Sequence, residues 1–156
     1  MSFFTGEYEA KLDAKGRMLL PAKLKNRLAE FSGTSLVVNR GFEPCLVIYP
    51  HSEWKLVFDK VANLNEFNKG FRNIQRNFMR GSTETDLDSV GRFLIPKTMI
   101  GYAKLDKSVI VVGVGNRIEV WNPEVYEQYL IGDQAEFSEL VERYLGDKLD
   151  QDESLS

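Results

Sequence analysis

Two short stretches carry residue types that could do chemistry at a repeated spacing. Asp13 stands four residues before Arg17, and Asp88 stands four residues before Arg92. The surrounding segments are DAKGRMLLP (Asp13–Pro21) and DSVGRFLIP (Asp88–Pro96), identical at five of nine positions. An arginine that opens a strand after a tight turn projects from a rigid element. Its guanidinium can grip a phosphate or take a guanine edge through paired hydrogen bonds. The rival reading is that each aspartate and arginine form an internal salt bridge that pins their own turn. Both roles can hold at once, with the aspartate orienting the arginine. A carboxylate placed directly on phosphate would be repelled, so Asp13 and Asp88 are read as turn-forming and orienting residues. Around the first arginine, Lys11, Lys15, Lys23, Lys25 and Arg27 supply cations for a phosphate-contacting rim. The second copy has Asp86, Val90 and Thr98 where the first has Lys11, Lys15 and Lys23. The first copy is therefore expected to dominate contact with an anion, with Arg92 contributing less.

The remaining reactive residues form no recognisable site. His51, the one histidine, follows Pro50 at an expected helix start and reads as a surface or capping residue. Cys45, the one cysteine, lies in an apolar strand and reads as a small core residue. One histidine and one cysteine cannot build a zinc cage of such ligands within a chain. The stretch VGVGNR (Val112–Arg117) contains G-x-G but lacks the third glycine and the long helix of a dinucleotide site, so it reads as a hairpin turn. No carboxylates stand in a readable acid–base pair, and no Ser-His-Asp set can be argued. The expectation is a protein that is not an enzyme, with no cofactor, no metal and no small-molecule substrate.

Charge points to a partner. The 156 residues carry a net charge of -3, which taken alone argues against nucleic acid. Residues 1–80, however, sum to +5 and residues 81–156 to -8. Within 11–27 there are six basic residues and one acid. Such asymmetry hints at an anionic partner for the basic part. No apolar run approaches the roughly 20 residues needed to span a bilayer, so no membrane partner is expected. The N-terminus has neither a basic leader nor a long apolar stretch, and with one cysteine a cytosolic protein is expected.

The elements that position these residues also repeat. Leu46–Trp54 (LVIYPHSEW) matches Ile118–Tyr126 (IEVWNPEVY), at an offset of 72 against 75 for the first motif. Two copies are too few for a solenoid and instead suggest half-units that complete each other's core. Alternation around Tyr8, Ala10 and Leu12 predicts a half-buried strand over Glu7–Leu12. Asp13 and Gly16 suit a tight turn, and Arg17–Leu20 returns as a short strand. Leu24, Leu28 and Phe31 share one face of a helix over Pro21–Phe31, with Lys23 and Arg27 on a neighbouring face. Strands follow at Ser35–Val38 and Cys45–Tyr49. The second copy gives Thr83–Leu87, Arg92–Ile95, a short helix from Lys97, Val109–Val112 and Arg117–Trp121. Between the copies, Trp54, Val57, Phe58 and Val61 mark one helix, and Phe67, Phe71, Ile74 and Phe78 mark a second, the latter read as a core stripe. Lys69, Arg72, Arg76 and Arg80 line another face of that second helix, as a solvated face, a secondary DNA contact or a cation face for an acidic helix of a neighbour. Near the end, Phe137, Leu140, Val141, Tyr144 and Leu145 predict a packed amphipathic helix with Glu136, Glu139 and Glu142 opposite, before a tail with the composition of disorder.

The twice-occurring D-x-x-G-R-h-L-h-P (h apolar), with C-L-x-I-Y-P after the first copy and E-V-W after the second, resembles the MraZ family of bacterial transcriptional regulators, built from two SpoVT–AbrB modules. The resemblance runs from about Glu7 to about Tyr144. It implies a mixed α+β chain whose strands interleave in a pseudo-two-fold, swapped-hairpin AbrB-like β-barrel with flanking α-helices. Residues 6–54 and 82–127 are then the two modules, 55–81 the connecting helices, and 128–156 a C-terminal helix and tail. The resemblance further implies a ring-shaped homo-oligomer in the cytoplasm and nucleoid. Its partner is double-stranded promoter DNA with short direct repeats, upstream of the division and cell-wall gene cluster. It places the motif arginine on the DNA-facing surface, here Arg17 and Arg92, with Asp13 and Asp88 as their motif partners. The expected function is a repressor that docks basic hairpins on promoter repeats. The alternative is a protein-interaction module of the antitoxin type, using the acidic C-terminal region.

Overall fold

The computed structural model describes residues 2–146. Those residues fall into two compact units, one through Val125 and one from Tyr126 onward. In the first unit, β1 (Glu7–Lys11), β2 (Arg17–Leu19), α1 (Ala22–Ser32), β3 (Ser35–Arg40), β4 (Leu46–Pro50) and α2 (His51–Ala62) form the first copy. Then α3 (Lys69–Met79) leads to β5 (Thr83–Asp86), β6 (Arg92–Leu94), α4 (Lys97–Tyr102), β7 (Ser108–Gly113), β8 (Ile118–Trp121) and α5 (Pro123–Tyr129), which carries the boundary. No helix among the described residues is long and apolar enough to cross a membrane.

Proline sets the strand-to-helix joints. Pro21 and Pro96 have φ near −51° and −59°, values the ring fixes, and neither has an N–H to continue a ladder. At the third such joint, Pro50 precedes α2, while its counterpart Asn122 accepts N–H bonds from Glu124 (2.8 Å) and Val125 (3.2 Å). Leu24 and Leu28 are the buried face of α1, and Phe31 stacks on Phe4 at 5.0 Å.

The ladders cross between copies. Six strands run in the order β1-β7-β8-β4-β3-β5, and β2 pairs with β6 in a separate two-stranded ribbon; every pair is antiparallel. Thus β1 of the first copy joins β7 of the second, and β5 of the second joins β3 of the first. Equivalent residues meet each other at both centres: Met18 opposite Phe93, and Val47 opposite Glu119. That is the arrangement a pseudo-two-fold axis requires. One core cluster draws on both copies, with Met18 and Phe93 beneath the ribbon and Leu36, Val38, Ile118 and Val120 from the sheet.

Three expectations change. The expected closed barrel is not formed by these ladders, because β1 and β5 are sheet edges that do not pair with each other. Those edges present Glu7, Glu9, Lys11, Glu84 and Asp86 to solvent, charges that oppose edge-to-edge pairing. The Phe67–Phe78 stripe is not core, and α3 buries no residue. Its apolar side packs in part on α2: Phe78 stacks on Trp54 at 5.7 Å, and Gln75 Nε2 donates to the carbonyls of Val61 and Leu64 at the end of α2. Phe67 is left 87% exposed. In the second unit the apolar stripe is helical through α6 (Gln134–Val141), and a single π turn (Glu142–Gly146) follows. It too buries nothing, with Phe137 47% and Tyr144 67% exposed. The tail expected to be disordered lies outside the described residues.

Candidate nucleic-acid interface

The two motif turns are built alike. Asp13 Oδ1 accepts the backbone N–H groups of Lys15 and Arg17, both at 2.9 Å, and Oδ2 accepts Arg17 Nε at 2.8 Å. Asp88 does the same for Val90 (3.0 Å), Arg92 (2.8 Å) and Arg92 Nε (2.9 Å). Each turn closes through a glycine with positive φ, Gly16 at +83° and Gly91 at +90°, a region where side chains with a Cβ are strained. The turns then lock onto the opposite copy. Ile95 donates to the Gly16 carbonyl (2.8 Å), and Leu20 to the Gly91 carbonyl (3.0 Å).

The backbone N–H of Arg17 is the main cause that holds the Asp13 carboxyl below its ordinary 3.8, aided by the guanidinium and opposed by burial. Arg92 acts in the same way on Asp88. Both aspartates are therefore ionised partners that use up Nε of their arginine. The two Nη groups of each guanidinium make no hydrogen bond among the described residues. Internal pinning is thus real in both copies, and it leaves the outer end of each fork available. The arginine side chains are 33% and 38% exposed.

The ribbon aims these forks. Met18 and Phe93 point inward and are buried, while Arg17, Leu19, Arg92 and Leu94 occupy the other face. Arg17 sits opposite Leu94, and Leu19 opposite Arg92. Leu19 and Leu94 are each 54% exposed. A two-stranded ribbon with outward guanidinium groups has the width to enter a DNA major groove, where Arg reads guanine and apolar groups meet thymine methyls.

The surrounding cations separate into groups. Lys15 lines a groove at the first turn together with Lys97 and Lys107, two lysines that the sequence reading did not single out. Lys97 directly follows the second motif's proline, and Lys107 comes beside the first turn because its carbonyl accepts the Leu12 N–H (2.9 Å). Lys25 belongs to the second turn: a Cβ built on Gly91 would lie 3.1 Å from Lys25 Cδ and 3.3 Å from Nζ. Lys11 lines a groove with Lys25 and Val90, accompanied by Glu7 and Glu9. Lys23 and Arg27 line a different groove with Phe3 and Tyr8. Arg27 pairs there with Glu30 at 3.4 Å and lies over the Phe3 ring. The first turn therefore keeps the more basic surroundings even with Asp106 on the same groove, and two of its three lysines come from the second copy.

The other reactive residues behave as read. His51 begins α2, donates its N–H to Ser32 Oγ (3.1 Å), and lies 3.6 Å from Glu84 at the surface. Cys45 is fully buried; burial, then Glu119 and Glu43, push its thiol up to about 12. VGVGNR is the turn between β7 and β8, closed by the Val114 N–H on the Arg117 carbonyl (2.9 Å).

Comparison with known proteins agrees with the repeated motif. The family described as "MraZ protein, putative antitoxin-like" matches twice, over residues 3–77 and 78–148. The chain is 50% identical over 145 residues to the transcriptional regulator MraZ of Cytophaga hutchinsonii, covering 93% of this chain and 96% of that one. It is 39% identical to the protein of that name from Carboxydothermus hydrogenoformans, covering 90% and 95% of the two chains. For the one from Christiangramia forsetii the identity is 36%, covering 90% and 92%. With both halves matched and similarity running through nearly the whole length, the chain belongs to the MraZ family.

Proposed function

We propose that the protein is a transcriptional regulator that binds promoter DNA and represses by occlusion. The observation that carries this reading is the ribbon. Two pinned turns hold two guanidinium forks on one outward face, each with Nη groups left for an outside acceptor. The relatives' name, transcriptional regulator, agrees with that chemistry. Arg17 and Arg92 read or grip DNA, Asp13 and Asp88 orient them, and Lys11, Lys15 and Lys25 neutralise flanking phosphates, with Lys97 and Lys107 added. Lys23 and Arg27 line a separate groove and serve at most neighbouring phosphates. One ribbon makes few contacts, so affinity comes from several copies engaging successive direct repeats, provided the spacings match. A ring-shaped homo-oligomer, with each protomer presenting one such ribbon, meets that need. The promoter in question controls the division and cell-wall gene cluster, and the site of action is the nucleoid in the cytoplasm.

The test is a footprint on the DNA upstream of the protein's own gene, with the mass of the bound species measured in parallel. Protection of tandem repeats by a multi-protomer species is the expected result. Absence of salt-sensitive DNA binding overturns the reading.

A further inference from the structure

We infer that α3 of one copy receives the acidic C-terminal helix α6 of a second copy. This rests on the assembly named above and assigns it a surface. From Lys69 to Arg80 the chain carries four cations, Lys69, Arg72, Arg76 and Arg80, and no acid. None of them forms a salt bridge among the described residues. From Asp133 to Glu142 it carries four acids and no base, and these too form no salt bridge among the described residues. Arg72 donates to the Glu66 carbonyl (2.9 Å), Arg76 donates to Asn73 Oδ1 (3.2 Å), and Asp133 accepts the Ala135 N–H (2.9 Å), all neutral partners that leave the charges uncompensated. Uncompensated charges of opposite sign on two helices are complementary surfaces.

Charge is matched by apolar surface. Beside the cations, Phe67 is 87% and Ile74 50% exposed; beside the acids, Phe137 is 47% and Leu145 55% exposed. Runs of exposed aromatic and aliphatic side chains mark contact sites more often than free surface. A groove of about 380 Å³ opens at the end of α3, lined by Arg40, Phe42, Ile74, Phe78, Arg80 and Tyr102. Phe42 is 94% exposed at its rim. Arg40 Nε is buried there without a hydrogen-bond partner, its guanidinium 4.8 Å from the Tyr102 ring centroid. Such a groove suits an aromatic side chain flanked by carboxylates, and Phe137 between Glu136 and Glu139 has that form. DNA would satisfy the cations but leave Phe67, Ile74 and Phe42 in water, so the protein partner is favoured.

The experiment is sedimentation of the full chain at fixed salt. One variant carries Arg72→Glu and Arg76→Glu, and a second carries Glu136→Arg and Glu139→Arg. Each alone raises the dissociation constant of the assembly on the order of a hundredfold, two like-charge juxtapositions acting together. Mixed in equal amounts they reassemble, because every contact then pairs opposite charges. Circular dichroism confirms that each variant is folded. A third variant, Phe137→Ala, leaves the charges in place and still weakens assembly. Unchanged mass in the single-helix variants, a mixture that fails to reassemble, or a monomeric wild type each overturns the inference. Gel shift of the same variants separates the two readings. If the α3 reversal lowers DNA affinity with assembly intact, the helix contact falls and the regulator stands.

Discussion

Replacing Asp13 by Asn removes a negative charge from a face that should meet DNA, and yet it should weaken binding. Simple electrostatics predicts the opposite. The Asn side-chain oxygen still accepts the N–H groups of Lys15 and Arg17, so the turn persists. Its NH2 group cannot accept from Arg17 Nε, which the second carboxylate oxygen does at 2.8 Å. Arg17 is then free to sample rotamers, and DNA must order it on binding. Immobilising one long side chain costs roughly two- to tenfold in affinity per protomer. Against this, the Asp13 carboxylate is exposed and already faces three N–H donors, so water and these dipoles weaken its repulsion of a phosphate. The ordering cost therefore wins. With two protomers engaged at once the loss multiplies to on the order of 4- to 100-fold. The assay is a gel shift on a duplex with tandem repeats, comparing Asp13→Asn in the wild-type and Arg17→Ala backgrounds. The coupling should be nearly complete: without Arg17, Asp13→Asn should cost nothing or bring a slight gain. Equal or tighter binding by Asp13→Asn alone refutes the orienting role. So does a loss that persists in the Arg17→Ala background.

The remaining expectations concern charge and protonation. Arg17→Ala should damage binding more than Arg92→Ala, because Lys15, Lys97 and Lys107 outnumber Asp106 at the first turn while Glu7 and Glu9 balance Lys11 and Lys25 at the second; each lost phosphate contact should lower the log–log salt slope by about 0.9, and a more damaging Arg92→Ala would reverse the order. The lowered carboxyl values of Asp13 and Asp88 place their stabilising contribution above the unfolded 3.8 and remove it as pH falls through the folded values. Thermal melts below about pH 4 should therefore show a shallower acid limb in an Asp13→Asn/Asp88→Asn variant than in wild type. Cys45, with its thiol pushed up to about 12, should resist thiol reagents in the native protein at neutral pH and react once the chain is denatured; fast native labelling would contradict the burial.

The linear chain announces its turns with little ambiguity. Asp13, Gly16 and Arg17 each have a local job, and their partners lie within four residues. The same holds for Asp88, Gly91 and Arg92. Strand alternation at Tyr8 and Ala10 and the buried face of α1 are also local signals, so they too could be read directly. Periodicity misled in α3 and α6, because it reports that a face is apolar without saying what covers it. The α3 stripe met Trp54 and the end of α2 but buried no residue of its own.

What the sequence determines by itself is the motif chemistry: a doubled aspartate–arginine turn, each half self-pinned, and the family to which it belongs. Only the tertiary structure decides who surrounds each turn. Because β1 pairs with β7 and β5 with β3, each turn packs on the other copy. Lys25 thus lies beside Gly91, with Ile100 in the matching place beside Gly16, and Lys107 reaches the first turn across the β1–β7 ladder. Counting lysines along the chain credits them to the nearest arginine in sequence. Strand exchange reassigns them in space, since hydrogen-bonded ladders join residues about a hundred positions apart, as Glu7 joins Val112.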